Sequence, residues 1–393
     1  MDPLVKKRIY SLDFLRGFVM IIMALDHTRD FVHFDAFIHD PLDLKSTGPI
    51  LFFTRWITHF CAPVFVFLAG ISVFLQEARK SKGELSAFLW KRGLWLVFVE
   101  VVIITYAWTF DSGFSVFVLG VIWAIGISMI GMSMLIRLPW KLVFLIGILL
   151  VFGHNVLDYF PSTHKGLFWD FFRNGNFAFH TLTPGHQMAF IYPILPWLGV
   201  MSLGYCLGAI YKQGYDPIKR KKLLSRLGWS TLVFFVLLRG TNLYGNPFLW
   251  SVQVDPIFTV MSFLNLHKYP PSLLYLCMTI GPALLFLAYF ENLNNKWSKI
   301  VSVYGRVPFF YYVLHFYILH LIAIFIFMRN GHNLNEETSL IFGIPFKFVI
   351  AGEGLTLRYV YLIWILMVLA LYPLCKWFSD LKQRKNYWWL SYL

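Results

Sequence analysis

A helix that crosses a bilayer needs about 20 mostly apolar residues, and ten stretches of this chain approach or exceed that length. They run at approximately 11–33, 50–78, 93–110, 114–136, 140–158, 187–211, 227–244, 270–290, 303–328 and 357–378, with polar or Gly/Pro-marked breaks between them. In lipid every backbone N–H and C=O must be satisfied within the protein, which favours helices for such segments. The expected fold is therefore all-α: a polytopic integral membrane protein of about ten transmembrane helices, built as one domain over residues 1–393. Composition agrees, because 58% of the chain is hydrophobic and 14% charged, against roughly 45–50% and about 25% in soluble domains. Soluble doubly wound, barrel and sandwich folds are excluded on this ground. Lys6-Lys7-Arg8 leads into a first span too long for a signal core and without a small-residue cleavage site, so that span is expected to stay as an anchor.

The formal net charge of +14 is explained by topology. With the N-terminus in the cytoplasm, alternate connections hold 23 Lys and Arg on the inner side and 10 on the outer, with Arg16 inside the first span. This is the positive-inside bias. It predicts both termini in the cytoplasm and an even number of spans, and it leaves no need for a nucleic-acid partner. Cys61, Cys206, Cys277 and Cys375 lie in apolar spans without CxxC spacing, so neither a disulfide framework nor a metal site is expected. Ser81 and Glu84 have capping-box spacing and predict a short helix on the cytoplasmic membrane surface. No duplication of the two halves is evident, which weighs against a transporter built on such repeats.

Under this topology all twelve histidines fall outside the membrane or in the outer half of a span. Loop histidines are ordinary surface residues. Ionisable groups at membrane depth are costly and tend to face polar cavities, so His27, His59, His315 and His320 carry more information. The first span holds Asp13, Arg16, Asp26, His27, Arg29 and Asp30 around an apolar centre. Asp30 lies three residues after His27, within helical reach of its imidazole. A carboxylate there would raise the basicity of His27 and fix its tautomer, as a general base requires. The alternative is an ion-paired helix end of Asp26, Arg29 and Asp30, with His27 filling space.

In the second span, Arg55 and His59 share a helical face, and Pro63 cannot donate to the carbonyl of residue 59. A kink with a free polar group beside His59 is expected. His315 has Tyr311 and Tyr312 at helical contact distance, whereas His320 with Tyr317 also suits an interfacial belt. The two prolines of His-Lys-Tyr-Pro-Pro-Ser stop any helix and bring Lys268 to a span entrance, to hold an anion or to mark the interface.

Ser-Leu-Asp-Phe-Leu-Arg-Gly at 11–17, followed by Asp26-His27, resembles the first-helix signature of transmembrane acyltransferases. The later stretches RWITHFCAPVFVFLAG, YPILPWLG, KYPPS and GRVPFFYYVLH are similar to bacterial membrane proteins carrying the heparan-alpha-glucosaminide N-acetyltransferase-type domain. The resemblance covers about residues 10–378. It implies a multi-pass enzyme of the bacterial cytoplasmic membrane that passes an acyl group, acetyl first, from cytosolic acyl-CoA to an extracytoplasmic glycan or glycolipid. It also implies a catalytic histidine in or just after the first helix. That histidine aligns with His27 in the bacterial members and falls near His33 or His39 in the lysosomal enzyme.

On this reading His27, Asp30, Asp26 and His59 are the catalytic candidates. Arg55 or His59 would donate to the oxyanion, and Arg55, His315, Lys268, Tyr312 and His39 would meet the acceptor. Arg16, Lys91 and Arg92 would hold the CoA phosphates. An acyl-histidine intermediate and direct transfer are both open, membrane lipid is the surrounding solvent, and a homo-oligomer is compatible. Two other classes remain at this point. Histidines on different helices can ligate haem in an electron-transfer protein, shown by a Soret band. A transporter or flippase would keep its flux after loss of His27.

Overall fold

Tyr10–Val32 forms α1, and its surroundings account for its charges: most of its residues are buried, including Asp13, Asp26 and Arg29. It is a core helix packed on several neighbours, not a lipid-facing one. The computed structural model describes residues 9–160, 166–336, 340–385, 387 and 390. Lys6-Lys7-Arg8, His164 and Lys165 lie outside the described residues.

The second expected span is two helices, α2 (Pro49–Ile57) and α3 (Cys61–Glu77), joined by a 3-10 turn at Thr58–Phe60. Pro49 starts α2 with the fixed φ that suits a first helical position. Pro63 leaves the His59 carbonyl without its helical donor, and Tyr275 Oη donates to that oxygen at 2.8 Å.

Ser81 and Glu84 form the expected capping box. The helix that it starts is not a separate surface helix, and that expectation is corrected. α4 (Lys82–Phe98) continues through a wide π turn (Val99–Ile104) into α5 (Thr105–Thr109). No Gly or Pro breaker of adequate strength stands between the capping box and the apolar run.

The fourth and sixth spans each begin as a strand. β1 (Val116–Leu119) precedes α6 (Val121–Leu135), which is followed by α7 (Trp140–Gly153), a 3-10 turn (His154–Tyr159) and the short α8 (Gly166–Trp169). β2 (Ala178–Thr183) and β3 (His186–Phe190) precede α9 (Ile194–Leu207). The sheet order is β1-β3-β2, with β1 parallel and β2 antiparallel to β3. The all-α expectation is thus corrected to a mostly helical fold, 69% helix with few strands. Val116–Leu119 and His186–Phe190 satisfy their backbones against each other.

The remaining helices are α10 (Pro217–Thr241), α11 (Pro256–Leu264), α12 (Leu273–Tyr289), α13 (Lys296–Arg306) and α14 (Pro308–Arg329). After a two-stranded hairpin of β4 (Leu340–Ile341) and β5 (Ile344–Pro345), α15 (Leu357–Arg384) closes the fold. The expected ninth span, 303–328, is broken at Val307, where Pro308 opens a new helix.

Among the described residues, six helical runs are long and apolar enough to cross a membrane: Pro49–Glu77, Trp140–Tyr159, Ile194–Tyr211, Pro217–Thr241, Pro308–Arg329 and Leu357–Arg384. Val121–Leu135 and Leu273–Tyr289 are apolar but shorter.

α1 meets α13 at a crossing that only glycine permits. A Cβ at Gly17 would lie 2.0 Å from the Val301 carbonyl oxygen, and one at Gly305 would lie 1.9 Å from that of Asp13. This close approach holds α1 in register in the bundle and carries its C-terminal end to the site.

Candidate active site

The last turns of α1 open onto a cavity of about 620 Å³. Its wall draws on the loop after α1, on Arg55 of α2, on Glu100 and Trp108, on Lys268 and Tyr269 ahead of α12, on Tyr312 of α14 and on the β4–β5 hairpin. Four charges stand together at its floor. Arg55 pairs with Asp26, while Arg29 Nη2 lies 3.1 Å from Asp26 and 2.5 Å from Asp30. Two carboxylates and two guanidiniums neutralise one another, which makes their burial tolerable where isolated charges are expensive.

This arrangement corrects the expected His27–Asp30 pair. Asp30 is held by the neighbouring Arg29, and His27 turns to another helix: its Nδ1 lies 2.7 Å from Nε2 of His315. Trp108, Tyr312 and Phe316 surround the His27 ring, with centroids at 5.4, 6.0 and 4.3 Å. His27 lines the cavity. Asp26 supports the site through Arg55 and Arg29 and makes no hydrogen bond to His27 among the described residues.

Arg55, Lys268, Tyr312 and His39 also line the cavity. His39 stands at its more exposed rim, 2.7 Å from Asp35. The prolines after Tyr269 act as expected: Ser272 caps α12 by accepting from Tyr275 N at 3.1 Å, and Lys268 is left at the cavity wall.

Other expected site residues lie elsewhere. His315 is fully buried and is absent from the cavity wall, so it contacts His27 and not an acceptor. His59 is fully buried, has no hydrogen-bond partner on either ring nitrogen among the described residues and does not line the cavity, so the oxyanion role does not suit it. Arg16 sits toward the other end of α1, where it donates to the Gly305 carbonyl and Ser72 Oγ at 3.2 Å each and pairs with Asp13 at 3.3 Å. It ties α1 to α13 and α3. Lys91 and Arg92 are on α4, Lys91 exposed, and neither reaches the cavity.

Haem does not fit between His27 and His315 or on His320. His27 and His315 touch, which leaves no room for a macrocycle between their nitrogens. Both ring nitrogens of His320 are engaged, 3.0 Å from the Ala107 carbonyl oxygen and 2.8 Å from that of Lys347.

Two features went unnoticed in the sequence. Glu100, buried in the π turn, accepts from the N–H groups of Gly120, Ile122 and Trp123 at 3.1, 3.0 and 3.3 Å and so caps α6 beside the cavity. A single carboxylate in the apolar run WLVFVEVVIITY was the available signal. Phe37, Phe177 and Phe342 come from three loops, line the cavity and all adopt left-handed backbone with φ of 66°, 58° and 49°. Such strain in a bulky residue clusters at functional sites, and a sequence gives no sign of it.

The family model described as heparan-alpha-glucosaminide N-acetyltransferase, catalytic, matches residues 8–239, more than half of the chain. The chain belongs to this family. It is a member of a transmembrane acetyltransferase family, as its opening motif suggested. The matched segment contains the charge quartet and His27. His315, Lys268 and Tyr312 lie beyond it and reach the same site through the fold. No curated protein sequence matches the chain.

Proposed function

We propose that this family member moves an acyl group, acetyl first, from cytosolic acyl-CoA to an amine or hydroxyl of an extracytoplasmic glycan or glycolipid, with His27 as general base. The observation that carries the reading is the placement of His27 at the end of the family's signature helix, on the wall of a cavity large enough for a sugar. An amine is favoured over a hydroxyl, because Asp35 and Asp40 line that wall beyond the arginine-paired Asp26 and Asp30, with Lys268 as the further cation, a balance that attracts an ammonium group.

An ammonium bound there first gives one proton to solvent; as the nitrogen of the neutral amine then attacks the thioester carbonyl, His27 takes a second proton from it. Arg55 supplies N–H donors to the oxyanion, since its guanidinium has five and the pairing with Asp26 does not exhaust them. Collapse of the tetrahedral intermediate expels the CoA thiolate, which takes the proton back from His27. Loss of such a base lowers rates by about 10²–10⁴.

The accompanying topology is ten spans in a single domain, with both termini cytoplasmic, in a bacterial cytoplasmic membrane. Arg16 lies eleven residues before His27, roughly 16 Å along α1. With Lys91 and Arg92 it would meet the nucleotide end of the donor while the pantetheine arm reaches inward. Purified protein incubated with radiolabelled acetyl-CoA and amino-glycans should transfer label, and His27→Ala should abolish transfer while retaining fold and CoA binding. Near-normal turnover by His27→Ala sinks the reading, and a dead His39→Ala in the same series assigns the chemistry to the later histidine.

A further inference from the structure

We infer that His315 is a positioning residue that fixes the tautomer of His27, leaving His27 Nε2 as the proton-accepting atom at the cavity. The inference rests on the proposed role of His27 and deepens it.

Its basis is the direction in which each hydrogen bond must run. His315 Nδ1 lies 3.1 Å from the carbonyl oxygen of Tyr311. A carbonyl only accepts, so Nδ1 carries the proton. A neutral imidazole has one N–H, and His315 Nε2 is therefore a lone pair. That lone pair faces His27 Nδ1 at 2.7 Å. Two lone pairs cannot share such a contact, so His27 Nδ1 carries a proton and donates it. The one nitrogen of His27 left without a proton is Nε2, which has no hydrogen-bond partner among the described residues, on a ring that lines the cavity.

Packing makes this direction permanent. His315 is fully buried, with Tyr311 stacked on one side at 5.4 Å and an interplanar angle of 12°. The His27 and His315 rings are nearly parallel at 14°. A half-turn of either ring about χ2 would keep its plane but put a carbon where the hydrogen-bonded nitrogen stands, so the bonded orientation is the one retained. When Nε2 of His27 receives the acceptor's proton, the imidazolium already has its Nδ1–H aimed at a lone pair. The positive charge is shared with His315 inside the protein, and no bond to His315 has to form or break. An aspartate in this place would add a charge. A second imidazole does the orienting without one, which suits a floor where Asp26 and Asp30 are already paired with arginines.

The test is ¹⁵N-histidine NMR on full-length protein in nanodiscs, with the His27 signal assigned by its loss in His27→Ala. The expected wild-type signal is the Nδ1–H tautomer. His315→Leu should convert it toward Nε2–H and lower kcat by about 10²-fold, with little change in KM for either substrate because residue 315 does not touch the cavity. His315→Gln should keep the tautomer and most of the activity, since its amide can donate to the Tyr311 carbonyl and accept from His27. An Nε2–H signal in the wild-type protein overturns the inference even if His315→Leu does not fold. Unchanged tautomer and kcat in a folded His315→Leu overturn it too. Should His27→Ala prove active, the base reading fails by a separate result, because the tautomer is read without turnover.

Discussion

The ion pair between Asp26 and Arg55 gives a sharp energetic test of the site. Both side chains are largely buried, 10% and 13% exposed. Removing one partner of a buried pair leaves a charge in low dielectric, typically about 3–5 kcal/mol. Arg55→Met should sit at the lower end, about 3 kcal/mol, because Arg29 remains 3.1 Å from Asp26. In Asp26→Asn the amide oxygen still accepts from Arg55, whose guanidinium lines the open cavity, so the loss falls below this range, at about 2 kcal/mol. The double variant removes both charges and leaves Arg29–Asp30 as a neutral pair, so its loss should also be about 2 kcal/mol, a coupling of about 3 kcal/mol.

Unfolding can be followed with a thiol-reactive dye, because Cys61, Cys206, Cys277 and Cys375 are all buried and free. At about 2 °C per kcal/mol, the melting temperature should fall by about 6, 4 and 4 °C. A double variant that loses the sum, about 10 °C, would refute the coupling and with it the charge quartet as a unit.

At the α1–α13 crossing, Gly17→Ala and Gly305→Ala should each destabilise by about 1–3 kcal/mol through overpacking. The same dye assay should show the pair to be less than additive, since one separation of the helices relieves both clashes; full additivity counts against the shared contact. Tyr275→Phe should lose about 1–3 kcal/mol by stranding the His59 carbonyl. Adding Pro63→Ala, which restores a backbone donor to that oxygen, should recover part of the loss in the melting curve, and no recovery means the carbonyl is not the cause. His332 lies 2.8 Å from Glu336 and 2.7 Å from Glu353, and these carboxylates raise its pKa above the ordinary 6.5. Its contribution to local order is therefore complete below pH 6.5 and lost as pH rises through the raised value. Hydrogen exchange around residues 330–336, corrected for intrinsic rate, should show protection falling with pH over that range, and a flat profile would contradict the clamp.

Much of the helical framework was legible along the chain because its signals are local. Apolar runs set where helices lie, and Ser81 with Glu84 marks a start through chemistry within a turn; Pro217 and Pro308 open α10 and α14 by equally local chemistry, but the apolar runs alone put those spans at 227–244 and 303–328. The acyltransferase family was legible too, in the motif around Asp13 and Arg16 and in Asp26-His27. The strands were not, because Val116–Leu119 is apolar enough for a helix and becomes a strand only on meeting His186–Phe190.

The partners within the site escaped for the same reason. Helical spacing put Asp30 within reach of His27, but reach does not choose between competing partners. Arg29 took the carboxylate, and His27 paired with a residue 288 positions away. Sequence spacing determines which groups can meet inside one helix. Which of them do meet is decided by burial, because once α14 and α2 dock against α1 each buried charge and ring nitrogen must find its partner across helices or remain desolvated.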